Sequence, residues 1–150
     1  MAEHIKKSHN KTLLLYHLVF PSKYRRNVFT DQFENSLKEI CLQISYGYEI
    51  HFIEIGADED HVHFLIQSVP TLRITEIVTK IKSITGRFLF QKHPEVKTML
   101  YGGNFWSSGY YANTVGQYAN EKTISEYVKN QGKQYKQFHR AQLTLFEGLV

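Results

Sequence analysis

The chain has 150 residues, 42% of them hydrophobic and 21% charged, the make-up of one globular domain expected over residues 1–150. A single cysteine, Cys41, excludes an internal disulfide framework and suits a reducing compartment, and no apolar run approaches the ~20 residues of a membrane span. The formal net charge is +4 and the isoelectric point about 9.1, values that exclude an acidic, disordered type of chain.

That charge is unevenly spread. Residues 1–30 carry six Lys and Arg against one acid, residues 31–72 one against eight, and residues 73–100 six against two. Basic segments therefore flank an acidic middle, a distribution that fits a polyanionic partner. The N-terminal MAEHIKKSHNK is polar rather than signal-like, so a cytoplasmic protein is expected.

In chain order, residues 11–20 (KTLLLYHLVF) read as a first strand. The basic connection 21–29 (PSKYRRNVF) follows. Residues 31–46 place Phe33, Leu37, Ile40, Cys41 and Ile44 on one helical face, with Gly47 as a stop and Cys41 as a packing residue. Residues 48–55 are a second strand, and the turn 56–60 (GADED) leads into a third strand at 61–67, making an antiparallel hairpin. After Pro70, the spacing of Ile74, Ile77, Val78, Ile81, Ile84, Phe88 and Leu89 predicts a second helix, whose other face carries Lys80, Ser83 and Arg87. Residues 105–115 read as a fourth strand with a bulge near Gly109, and a last helix covers about 123–140. The order β-α-β-β-α-β-α predicts an α+β fold of the ferredoxin-like kind (split βαβ, RRM-like). Its antiparallel sheet has helices on one face and gains a C-terminal helix.

The third strand carries the chemistry. In DHVHFLIQ, His61 and His63 share one face of the strand while Val62, Phe64 and Ile66 take the other. Adjacent imidazoles on a rigid central strand can converge on one divalent cation. On the last helix, Thr123 and Glu126 form a capping-box pattern that starts the helix just before Tyr127, and Gln131 follows on the same face. One helix face then offers a nucleophile and a neutral oxygen ligand. A free tyrosine, with a pKa near 10, is a weak nucleophile at neutral pH. A cation that polarises a phosphodiester would make its attack feasible. Tyr135, with His139 four residues on, is a rival for the same role.

Taken together, YHLVFPSKYRR, DHVHFLIQ, IKSITGRFLF, FWSSGYYANTVG and EYVKNQ resemble, in order and spacing, the HUH single-tyrosine transposases. These are the TnpA-type enzymes that move small bacterial insertion sequences as single-stranded DNA. The resemblance covers nearly the whole chain. It implies a catalytic Tyr127, a metal site of His61, His63 and Gln131 holding Mg²⁺ or Mn²⁺, and 5′-phosphotyrosine intermediates. It also implies recognition of hairpins at the element's ends and a homodimer with paired active sites, in a cytoplasmic, nucleoid-associated protein. DNA contacts are expected from Lys23, Tyr24, Arg25, Arg26, Lys80, Arg87, Lys129 and Lys133. The bland assignments are His51 as a sheet-surface or cross-strand residue and His93 as a loop residue. Tyr110 and Tyr111 are read as packing or stacking residues, and Trp106 as core or interface. The rival functions are a domesticated palindrome-processing relative, a rolling-circle-type nickase, and a non-catalytic nucleic-acid-binding module.

Overall fold

The computed structural model describes residues 2–23, 30–100 and 103–116. Strand β1 (Ile5–Lys6) and β2 (Lys11–Thr12) form a small antiparallel ribbon. They precede β3 (Leu14–Pro21), α1 (Asp31–Gly47), β4 (His51–Ala57), β5 (His61–Ser68), α2 (Ile74–Lys92), α3 (Pro94–Met99) and β6 (Tyr111–Val115). The main sheet runs β4-β5-β3-β6 and every pairing in it is antiparallel. From β3 onward this is the expected ferredoxin-like order, with the first and third main strands as central neighbours.

A period of two sorts the central strands. On β3, Leu18 and Phe20 join Val62, Phe64 and Ile66 of β5 in one core with α1 and α2. Leu15, Leu65 and Val115, of the opposite parity, form a separate cluster on the other face. A bulge at Phe52/Glu54 shifts the register of β4 against β5, which is why Phe52 and Ile55 both pack into the helical core.

Helix α1 begins at Thr30, whose side chain accepts from the Phe33 amide at 3.3 Å, with Asp31 and Glu34 in the first turn. It buries the five residues its spacing predicts: Phe33, Leu37, Ile40, Cys41 and Ile44. Burial pushes the Cys41 thiol pKa far up, so it is an inert packing group. Helix α2 buries Ile77, Val78, Ile81 and Leu89 as its spacing predicts, but Phe88 is 38% exposed. In its first turn, Glu76 accepts from the amide and guanidinium of Arg73, the residue just before the helix.

Three local readings need correction. The first strand divides into β2 and β3. The fourth strand starts only at Tyr111, because Phe105 and Trp106 turn inward to pack on each other and on Phe20. Before it, a bridge pairs Ser22 with Trp106. Between α2 and α3, His93 lies in the non-helical junction, as expected of a loop residue, and is buried there, with Nε2 2.9 Å from Ser36 Oγ and its ring against Phe33. Strand β1 and helix α3, only two and six residues long, leave no period in the sequence that predicts them. The expected helix at 123–140 lies outside the described residues. No helix among the described residues is long and apolar enough to cross a membrane.

Phe64 is fully buried between Phe20 and Phe52. Phe64→Ala should cost about 3–5 kcal/mol in urea unfolding; a loss below about 1 kcal/mol would contradict this core assignment.

Candidate active site

His61 and His63 point from β5 onto the face opposite α1 and α2, and both are almost wholly buried, at 1% and 0% exposure. Their ring centroids lie 5.0 Å apart with the planes at 68°. Strand β5 is paired on both sides, to β3 and to β4, so the backbone beneath the pair is held on either flank.

Each imidazole has a partner at its Nδ1. His61 Nδ1 lies 2.7 Å from Asp60 Oδ1. A carboxylate only accepts, so that nitrogen carries the proton. The Asp60 backbone is itself fixed: its carbonyl accepts from the Ser22 amide at 2.8 Å and from the Ser22 hydroxyl at 3.1 Å. Asp58 Oδ2 stands 3.9 Å from His61 Nε2. His63 Nδ1 lies 3.1 Å from Nε2 of His17, and His17 Nδ1 lies 3.2 Å from Asn113 Oδ1. Burial lowers the His17 pKa to about 4 against a partial offset from the Asn113 hydrogen bond, so His17 is neutral at physiological pH.

Second partners of this kind orient metal-binding histidines and fix their tautomers. The donor chemistry of His61 and His63 therefore fits a divalent cation. Among the described residues, no group of three or more His, Cys, Asp or Glu is placed to hold a metal, so a complete first shell needs a ligand from elsewhere. The expected third ligand, Gln131, and the expected nucleophile, Tyr127, lie outside the described residues, as do their rivals Tyr135 and His139. His51 is exposed, opposite Gln67, in keeping with its bland assignment. Tyr111 is half-buried with its ring edge-on to His17.

On the other side of the sheet, α2, α3 and the 103–108 segment enclose an open cleft of about 940 Å³. Lys23, Lys82, Arg87 and Lys97 line it beside Phe90 and Trp106. Trp106 is only 5% exposed and donates from Nε1 to Thr85 Oγ1 at 2.8 Å, which makes it core. Gly103, at φ 72°, takes the left-handed turn that shapes the rim next to Lys23. The expected stripe on α2 divides. Ser83 and Arg87 face this cleft, whereas Lys80 lies over the Tyr48 ring. Lys82 and Lys97 were missed because helix spacing alone does not say where the 103–108 segment passes. Lys82 donates to the carbonyls of Ser107 and Gly109 at 2.7 and 2.8 Å, and burial lowers its pKa to about 8. Tyr24, Arg25, Arg26, Lys129 and Lys133 lie outside the described residues.

Comparison with known proteins identifies the family. Residues 10–131 match the family described as "Transposase IS200 like". The chain belongs to the IS200-like, single-tyrosine transposase family. It is 31% identical to the ISDra2 transposase TnpA of Deinococcus radiodurans over 118 residues, 79% of this chain and 84% of that protein. It is 27% identical to the transposase of insertion sequence element IS200 from Salmonella typhimurium over 124 residues, 83% and 80% of the two chains. A crystal structure of a Deinococcus radiodurans protein described as a transposase superposes with a TM-score of 0.69 at 29% identity, over 85% of this chain and 97% of that one. A tyrosine transposase associated with REP elements, solved with a REP hairpin, shares the fold at a TM-score of 0.54 and 12% identity, over 85% and 70%. The protein is thus a transposase, an enzyme of DNA transposition.

If the cleft tracks a nucleic-acid backbone, Arg87→Ala combined with Lys97→Ala should lower the slope of log affinity against log salt by about 1.4 for a single-stranded oligonucleotide, ~0.7 per lost phosphate contact. A fluorescence-anisotropy salt titration reads this, and an unchanged slope would remove the cleft from the DNA path.

Proposed function

We propose that this transposase cleaves and rejoins single-stranded DNA at hairpin-bearing element ends through a covalent 5′-phosphotyrosine at Tyr127. The observation that carries the reading is the buried His61–His63 pair, each ring with a partner at Nδ1, in a chain matched to the family through residue 131. That matched stretch includes Tyr127 and Gln131 and stops short of Tyr135. A divalent cation, Mg²⁺ or Mn²⁺, held by His61, His63 and Gln131 would polarise the scissile phosphate and neutralise charge developing on it.

The Tyr127 phenol gives up its proton and its oxygen forms a bond to phosphorus. The bond from phosphorus to the 3′ oxygen breaks, and that oxygen leaves as a 3′-hydroxyl. The 5′ phosphate stays on the enzyme, and its energy is conserved for attack by a second strand's 3′-hydroxyl. One nucleophilic tyrosine per chain means that two simultaneous cleavages need two subunits, so a homodimer is part of the proposal. The relative solved with a REP hairpin supports hairpin DNA as the ligand. Lys23 and Arg87, with Lys82 and Lys97, supply cations for its phosphates.

The test incubates wild type and Tyr127→Phe with labelled single-stranded hairpin oligonucleotides from the gene's own flanks, with Mg²⁺ or Mn²⁺. A denaturing gel should show a covalent protein–DNA adduct in wild type that is lost in the variant and with EDTA. An adduct that persists in Tyr127→Phe would sink the assignment and promote Tyr135. Hairpin binding without any adduct would make the chain a binding module.

A further inference from the structure

The most constrained polar cluster on the histidine face spans three strands. His17 on β3 sits directly opposite Asn113 on β6. His63 on β5 is opposite Val19, which places it diagonally across from His17. The His17 and His63 ring centroids are 5.3 Å apart with planes at 18°, and their facing nitrogens are 3.1 Å apart. That centroid separation is nearly the bond length plus two ring radii. The rings therefore meet edge to edge, almost in one plane, as an N–H···N hydrogen bond requires.

Proton positions follow from the outer end of the chain. Asn113 Nδ2 donates to the Thr114 carbonyl at 3.1 Å, which turns its Oδ1 toward His17. An amide oxygen only accepts, so His17 Nδ1 carries the hydrogen. A neutral imidazole has a single N–H; His17 spends its own on Asn113 Oδ1, in a site only 4% exposed, so its Nε2 accepts. His63 Nδ1 is then the donor, and the lone pair of His63 lies on Nε2.

We infer that Asn113 and His17 form a proton-placing relay that fixes the Nδ1–H tautomer of His63 and so presents its Nε2 as the metal-binding nitrogen. This deepens, and rests on, the reading of His63 as a metal ligand. His17 is a positioning residue, and so is Asn113. Asp60 imposes the same tautomer on His61 by a different device. Using a neutral imidazole instead of a second carboxylate keeps one negative charge away from a site that must admit a phosphodiester.

The experiment has two readouts on metal-free, ¹⁵N-histidine-labelled protein. Long-range ¹H–¹⁵N correlation spectra should show His63 protonated on Nδ1. Mn²⁺ titration followed by electron paramagnetic resonance should show affinity falling 10–100-fold in His17→Phe, which fills the same space without nitrogens. His17→Gln, whose side-chain oxygen can accept at the Nε2 position, should recover most of that affinity, and His61 should keep its tautomer throughout. Asn113→Leu, which removes the outer acceptor, should weaken the Nδ1–H preference of His63 even if His17→Phe does not fold. Wild-type His63 protonated on Nε2, or a His17→Phe protein that binds Mn²⁺ within twofold of wild type, overturns the relay. A His63→Ala protein that binds Mn²⁺ as tightly as wild type overturns the metal reading itself.

Discussion

Everything chemical in this molecule hangs on the pairing of β5 between β3 and β4, because a strand shows alternate residues to opposite faces. With β5 locked in register on both edges, Val62, Phe64 and Ile66 enter the helical core and His61 and His63 appear together on the far side. A one-residue slip would bury the imidazoles among α1 and α2 and push three large apolar side chains outward. The aromatic packing of Phe64 with Phe20 and Phe52 is therefore also what aims the histidines.

The two sides of the sheet carry different electrostatics. On the histidine face, three buried imidazoles are paired with half-buried partners: Asp60 with His61, and Asn113 with His17 and then His63. Burial in a low-dielectric setting makes such pairings strong and makes an unpaired nitrogen costly. On the helical side, lysines and an arginine line an open cleft beside aromatic walls, with Lys82 partly desolvated against the Ser107 and Gly109 carbonyls. A strand transferase needs both characters, rigid geometry where a bond changes and a broad cationic surface where the polymer rests.

The sequence was most legible where a period dominates. The helical spacing of α1 names its five buried residues correctly, and the alternation in DHVHFLIQ assigns each side chain of β5 to its face. It was less legible where tertiary contacts override local pattern. Phe105 and Trp106 look like strand residues, yet they plug the core, with Trp106 bound to Thr85. His17 was read as one residue of an apolar strand. Its role depends on a diagonal register to β5 and a direct one to β6, which no single segment encodes. The only hint was a polar residue in YHLVF of the parity that opposes Leu18 and Phe20. Phe88 fits the apolar spacing of α2 but lies at its margin, 38% exposed.

The central claim is that the face of the sheet opposite the helices is a metal site built on the Nε2 atoms of His61 and His63. Crystals grown with Mn²⁺ and measured at the manganese absorption edge test it directly. The account predicts one anomalous peak within coordination distance of both Nε2 atoms, with His17 and Asp60 still on the Nδ1 side. A peak at Nδ1 of either ring, or none near the pair at saturating Mn²⁺, would contradict it.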